Sequence, residues 1–227
     1  MANINSKLWH LENIKVFSNM PKQEMKKIEE MTNMRTVKKG EYIYFPEDPS
    51  SSVYFLKMGR IKIGTYTEDG KEIIKTILWP GEIFGELGVI DESNRTDFAI
   101  AADDEVLICA MNMTNMINMM SMNPGLNLKV MKLIGLRFRK TERKLESLMF
   151  KDSRTRLVEF IKELAEERGI KVGTDISVKH YLTHQDFANL NAISRQNVTS
   201  IFNELKAEKQ MHFERKSFLI RDINSLK

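Results

Sequence analysis

The sequence predicts an α+β chain: a small all-β unit, then a long helix, then a helix-turn-helix followed by a β-wing. Three observations carry this. Short apolar alternations separated by turn residues fill the stretch from Gly40 to about Met111. An apolar spacing of three and four runs from Pro124 to about Phe150. Two short helical patterns joined by a tight turn occupy Thr183 to Ala207, ahead of a final hairpin pattern.

At the N-terminal side, Ile14, Phe17, Met20, Met25 and Ile28 recur at near-helical spacing and predict short helices packed on the β-unit. The strands follow. Tyr42-Ile43-Tyr44-Phe45, Val53-Tyr54-Phe55-Leu56 and Ile61-Lys62-Ile63 alternate as half-buried strands do, with a turn roughly every eight to twelve residues, which suggests a barrel or sandwich. Lys57-Met58-Gly59-Arg60 and Glu68-Asp69-Gly70-Lys71 place glycine where a tight turn needs positive φ, and Trp79-Pro80-Gly81-Glu82 ends another strand. The Met- and Asn-rich run from Met111 to Asn123 is read as thioethers filling space between the β-unit and the long helix, not as a metal or redox site.

Pro124 suits the first turn of a helix. Along that helix Met131, Ile134, Phe138, Thr141, Leu145 and Leu148 form an a/d stripe with one polar member, Thr141. Packing on its own domain or pairing with a second copy would each satisfy the stripe. Pairing is expected, because Arg137, Arg139, Lys140, Arg143 and Lys144 flank it and would solvate its edges. A helix from Ser153 to about Arg168 and an extended segment around Ile176 to Tyr181 complete the approach to the C-terminal pattern. The expected division is 1–123, 124–150 and 151–227.

Composition narrows the function classes. No run of eighteen or more apolar residues exists, and Met1 to Lys15 has neither an apolar signal core nor an Arg/Ser-rich amphipathic character, so a soluble, unexported, cytoplasmic protein without membrane contact is expected. The single cysteine, Cys109, makes neither an internal disulfide nor an iron-sulfur ligand set. With no nucleophile-histidine motif, metal-ligand cluster or Walker-type loop, no catalytic and no metal site is assigned, and an enzyme is not expected. Net charge is +4, and the last third, from Lys151, holds 14 basic and 11 acidic residues, a modest excess compatible with a nucleic-acid partner.

In the C-terminal pattern Thr183 can cap the first helix, Phe187 and Leu190 face inward around Ala188, and Asn191-Ala192-Ile193 makes the turn. Ala192 stands where such a turn often has glycine; a positive φ there would cost of order 1 kcal/mol, unless Asn191 takes that conformation instead. Ser194 can cap the second helix, whose Val198, Ile201, Phe202 and Leu205 form its buried stripe. Arg195, Gln196, Thr199 and Ser200 lie on the exposed side of its first turns, where Arg can bond a guanine and Gln an adenine with two bonds each. Met211 to Ile220 reads as a wing whose tip, Arg215-Lys216, would lie on phosphate, His184 and Gln185 are placed for backbone contacts, and the caps Thr183 and Ser194 are counted with the DNA-binding residues.

In the β-unit, Gly81-Glu82-Ile83-Phe84-Gly85-Glu86-Leu87-Gly88 is followed by Arg95-Thr96. Small residues let backbone N–H groups approach a ligand, an Arg and a hydroxyl can hold a phosphate, and Glu86 can accept from a sugar hydroxyl. At this point the sequence resembles, over nearly its whole length, the bacterial cyclic-AMP receptor proteins and their FNR-type relatives. Lys39-Gly40-Glu41-Tyr42-Ile43 looks like the family's first barrel strand, Gly85-Glu86-Leu87-Gly88 with Arg95-Thr96 like its phosphate-binding cassette, Asn123-Pro124 like the start of its dimer helix, and Ser194-Arg195-Gln196-Asn197-Val198-Thr199 like its recognition-helix entry.

The resemblance implies an N-terminal cyclic-nucleotide-binding-type β-roll (a double-stranded β-helix or jelly roll), a dimerisation helix and a C-terminal winged helix-turn-helix. It implies a homodimer on a palindromic double-stranded operator, with RNA polymerase as a further partner and cyclic AMP or another small anionic effector in the β-roll. Gly85, Glu86, Leu87, Arg95, Thr96 and Thr141 would bind that effector, with Glu86 on the ribose, Arg95 and Thr96 on the cyclic phosphate and Thr141 at the base. Two positions depart from the pattern: Asp97 stands where members that bind cyclic AMP usually carry a small residue, and Glu142 follows Thr141 where another hydroxyl is expected. All four histidines, His10, His180, His184 and His212, lie outside the predicted β-roll, which argues against a haem sensor. The competing readings are a constitutive DNA-binding regulator with a degenerate pocket and a ligand-sensing module acting on a protein partner.

Overall fold

The structure, a computed structural model, describes residues 11–70, 72–90, 94–214 and 216–226. His10, Lys71 and Arg215 lie outside the described residues. The chain divides into two compact units, Met1–Arg137 and Phe138–Lys227.

In the first unit, a 3-10 turn (Lys15–Phe17) and helix α1 (Lys22–Glu30) precede eight strands: β1 (Thr32–Lys38), β2 (Tyr42–Tyr44), β3 (Ser52–Met58), β4 (Ile61–Tyr66), β5 (Glu72–Leu78), β6 (Ile83–Phe84), β7 (Phe98–Ala101) and β8 (Glu105–Asn112). They form two four-stranded sheets, in the orders β1-β8-β3-β6 and β2-β7-β4-β5. Alternation along the strands builds two cores. Val37, Leu56, Phe84, Val106 and Ile108 of the first sheet pack with Ile43, Ile61, Ile63, Leu78 and Ala99 of the second. From the opposite face of the first sheet, Val53, Phe55, Ile83, Cys109 and Met111 pack against Ile14, Phe17, Met25 and Ile28. Cys109 is thus a buried core residue.

Strand β1 is an addition to the sequence reading, in which strands began at Gly40. It pairs with β8 along seven residues, Thr32 opposite Met111 through Lys38 opposite Glu105. Only Thr32 and Val37 of it are buried, so its sequence lacks the alternation that marks a strand.

Helix α2 (Met113–Met122) is capped by the Asn112 side chain, which accepts from the Thr114 amide at 2.8 Å. Met113, Met116 and Met120 are buried, so the methionine run does fill space, as a helix face. Helix α3 (Pro124–Phe150) is continuous across the boundary between the two units. Leu126 and Val130 join the first unit's core, while Met131, Phe138, Leu145 and Leu148 of the predicted stripe are exposed.

In the second unit, helix α4 (Ser153–Arg168) is capped by Asp152, which accepts from the Thr155 amide at 2.8 Å. It is followed by β9 (Ile170–Val172) and β10 (Asp175–Lys179), helices α5 (His184–Asn191) and α6 (Arg195–Ala207), and β11 (Met211–Phe213) with β12 (Ser217–Ile220). The sheet order is β11-β12-β10-β9. Strand β9 and its hairpin with β10 extend the single extended segment read from the sequence, and that segment stops at Lys179: Tyr181 has φ 53. Phe187, Phe202, Phe213 and Phe218 cluster around the buried ring of His180, with Phe202 stacked on Phe213 at 3.7 Å between centroids.

Candidate functional site

In the second unit the two helices meet as the caps dictate. The Thr183 hydroxyl accepts from the Asp186 amide at 3.1 Å while the Asp186 carboxylate accepts from the Thr183 amide at 2.9 Å, a reciprocal capping box. Ser194 caps α6 by accepting from the Asn197 amide at 3.0 Å. Between them Ala192 takes the left-handed conformation, φ 50 and ψ 50. Asn191 does not take it: it stays helical and buried, its amide donating to the Phe187 carbonyl at 2.8 Å.

Arg156 of α4, which sequence reasoning missed, secures this turn. Its guanidinium donates to the carbonyls of Asn191 at 3.1 Å, Ala192 at 3.2 Å and Lys151 at 2.7 Å. Arg154 on the same helix holds the far side of α6 through Glu204 and Glu208.

Helix α6 buries Val198, Ile201, Phe202 and Leu205 and leaves Arg195, Gln196 and Ser200 exposed. Thr199 is half-buried: its hydroxyl donates to the Arg195 carbonyl at 3.1 Å and lies 3.0 Å from His184 Nδ1. His184 packs edge-on against Phe202, and burial followed by the neighbouring Arg195 charge lowers its pKa, favouring the neutral ring. Gln185 is exposed and donates to Asn189 at 2.8 Å. On the wing, Lys216 is exposed, its ammonium 5.7 Å from the Tyr181 ring centroid. Of the residues predicted for DNA, Thr183, Ser194, Thr199 and His184 therefore make internal bonds that set the helices, and Gln185, Arg195, Gln196, Ser200 and Lys216 present their side chains outward.

In the first unit Gly85 starts a 3-10 turn (Glu86–Val89) in the left-handed region, φ 71. A Cβ there would come within 2.8 Å of Arg95 Nη1, so glycine is required both for the backbone and for the approach of the arginine. Arg95 is 5% exposed. Its Nη1 donates to the Gly85 carbonyl at 2.9 Å, its Nη2 donates to the Ser52 carbonyl, and its plane lies over Tyr44 at 4.5 Å. Among the described residues its buried Nε–H has no acceptor.

Glu86 is also buried, and its carboxylate accepts from Arg137 of α3, whose second terminal nitrogen donates to the Ile83 carbonyl. Sequence reading gave Arg137 only a solvating role; its position four residues before Thr141, one helical turn along the same face, was the available signal. Leu87 and Thr96 are exposed, and Thr141 is an exposed residue of α3 in the second unit. Asp97 is half-buried, and burial raises its pKa while the Lys75 charge, the Tyr44 phenol and the Arg95 charge lower it. Among the described residues no group of three or more His, Cys, Asp or Glu could hold a metal ion, and no helix is long and apolar enough to cross a membrane.

Two family models match the chain: a cyclic nucleotide-binding domain over residues 34–123 and a Crp-like helix-turn-helix domain over residues 155–227. The chain belongs to the CRP/FNR family of bacterial transcription regulators. It is 28% identical over 188 residues to the CRP-like cAMP-activated global transcriptional regulator of Mycobacterium tuberculosis, covering 83% of this chain and 84% of that protein. To the global nitrogen regulator of a Nostoc species it is 28% identical over 189 residues, 82% of this chain and 84% of that protein.

Its fold is that of solved CRP/FNR structures. A variant of CooA from Carboxydothermus hydrogenoformans superimposes with a TM-score of 0.78 at 23% identity, covering 98% of this chain and 94% of that one. The c-di-GMP responsive global regulator CLP of Xanthomonas campestris gives 0.72 at 18% identity, covering 88% and 99%. As a CRP/FNR member the chain is a DNA-binding transcription regulator, in a family of regulators and not of enzymes.

Proposed function

We propose that this CRP/FNR protein is a cytoplasmic homodimer, paired along α3, that binds a palindromic operator through α6 and acts with RNA polymerase. Its β-roll takes a small anionic effector, cyclic AMP or another, at Gly85, Glu86, Leu87, Arg95 and Thr96, and Thr141 couples the dimer helix to occupancy. The domains that carry this are 1–123, 124–150 and 151–227. The observation that carries the DNA reading is α6 itself: one face is locked into a phenylalanine core and the first turns hold Arg195, Gln196 and Ser200 in solvent. The dimer reading is supported by the stripe on α3, where Phe138 is 64% and Leu145 59% exposed. An effector is supported by the buried Arg95 Nε–H, a donor with no acceptor among the described residues.

The test is Arg195→Ala on an operator selected from random duplexes. Specific binding is expected to weaken by about 1 to 3 kcal/mol while binding to random DNA changes little. Equal losses on both would make Arg195 a phosphate contact and remove the basis for readout by α6. A second reading, a constitutive regulator with a closed pocket, is favoured by the pairing of Glu86 with Arg137 and of Arg95 with two carbonyls. A thermal-shift screen against cyclic nucleotides and small organic anions separates the two, because a ligand that binds only the folded state raises the melting temperature.

A further inference from the structure

Regulators with this fold carry names that cite different effectors, cAMP in one and c-di-GMP in another, so side chains particular to each pocket must discriminate. In this chain the departure from the family pattern at Asp97 is built into the structure. Strand β2 pairs with β7 so that Tyr44 lies opposite Ala99, which brings its phenol to the start of β7. The hydroxyl lies near enough to the Asp97 carboxylate for each to act on the other's ionisation, and the 5% exposed ring of the same residue carries the Arg95 guanidinium at 4.5 Å.

On the other side of β7, Phe98 and Ala99 pair with Gly64 and Ile63 of β4. Strand β5 then places Ile74 opposite Gly64 and Thr76 opposite Ile63, leaving Lys75 as the extra residue of a bulge. A bulge re-aims a side chain, and the Lys75 charge is the largest influence favouring the ionised form of Asp97. Four further groups thus surround this carboxylate, from four parts of the unit: Tyr44, Lys75, Arg95 and Glu86.

This arrangement changes what Arg95 can hold. Both terminal nitrogens are engaged by carbonyls and one face is covered by Tyr44, which leaves the Nε–H for a phosphate, and the charge of Asp97 already acts on this guanidinium. Two negative charges a few ångströms apart repel strongly wherever water is partly excluded. Resting on the effector reading above, we propose that Asp97, set near Tyr44 and balanced by Lys75, is a specificity-determining residue that turns cyclic phosphodiesters away from this pocket. An effector that brings a hydroxyl, amine or amide donor to Asp97 beside its own anionic group is favoured instead. Burial raises the pKa of Asp97, so lowering the pH neutralises it and relieves the exclusion; Asn, uncharged at every pH, does so permanently.

Calorimetric titration with cyclic AMP tests this on the native dimer, Asp97→Ala and Asp97→Asn, each first shown to keep the native circular dichroism and DNA binding at low salt. Both variants are expected to bind about tenfold or more tightly than the native protein at pH 7.5. As the pH is lowered the native affinity should rise toward that of Asp97→Asn, whose own affinity stays flat. Equal affinity of native and variant proteins overturns the specificity role and leaves the nucleotide pocket standing. Absence of binding by all three overturns the nucleotide pocket together with the proposal.

Discussion

Ala192 holds a conformation that suits glycine, and the strain it carries is offset by a neighbour from another helix. A residue with a Cβ in the left-handed region loses roughly 1 to 2 kcal/mol. The three carbonyl bonds of Arg156, two of them to Asn191 and Ala192, over-determine the turn and keep it in place. Two substitutions should therefore move stability in opposite directions. Ala192→Gly is expected to raise it by about 0.5 to 1 kcal/mol in urea titrations, and Arg156→Ala to lower it by about 1 to 3 kcal/mol. If Ala192→Gly is destabilising, the turn is not strained in solution.

At the scale of elements, α3 behaves as two segments with different partners. Leu126 and Val130 are buried in the first unit, while further along Met131, Phe138, Leu145 and Leu148 are exposed. Isolated exposed apolar side chains are ordinary; a row of them at a/d spacing on one helix is a surface awaiting a partner. Phe138→Glu places a carboxylate in that row and should convert a micromolar dimer to monomer in sedimentation equilibrium. Glu146→Lys, off the stripe, should leave the dimer intact. A native protein that sediments as monomer at that concentration would assign the stripe to some other contact. Lys140 adds a constraint on the same helix, pairing with Glu163 at 2.8 Å and Glu167 at 3.8 Å on α4, though exposed pairs of this kind contribute little to stability.

For the whole molecule, a two-fold dimer presents two copies of α6, and two-fold symmetry in the protein requires it in the DNA. Footprinting is expected to show protection of an inverted repeat whose half-sites are centred about 34 Å apart, one helical turn. Inserting about five base pairs between half-sites rotates one of them by half a turn and should abolish high-affinity binding. Retention of full affinity on the spaced site would mean that each copy of α6 binds independently.

The sequence by itself determined what depends on neighbours within a few residues. The caps at Thr183 and Ser194, the start of α3 at Pro124 and the glycine turns at Gly59 and Gly70 were legible because caps, helical periodicity and positive φ are local properties. Tertiary structure alone decided which distant group each charged side chain meets. Glu86 takes Arg137 from 51 residues away, Arg95 reaches the Ser52 carbonyl 43 residues back, and Asp97 lies against Tyr44 through the register of β2 on β7. Strand β1, a polar stretch with two buried residues, becomes a strand only because β8 offers it seven partners. Pairing across a sheet and exclusion of water around a charge are set by register and packing summed over the whole unit, and no local window of sequence records either.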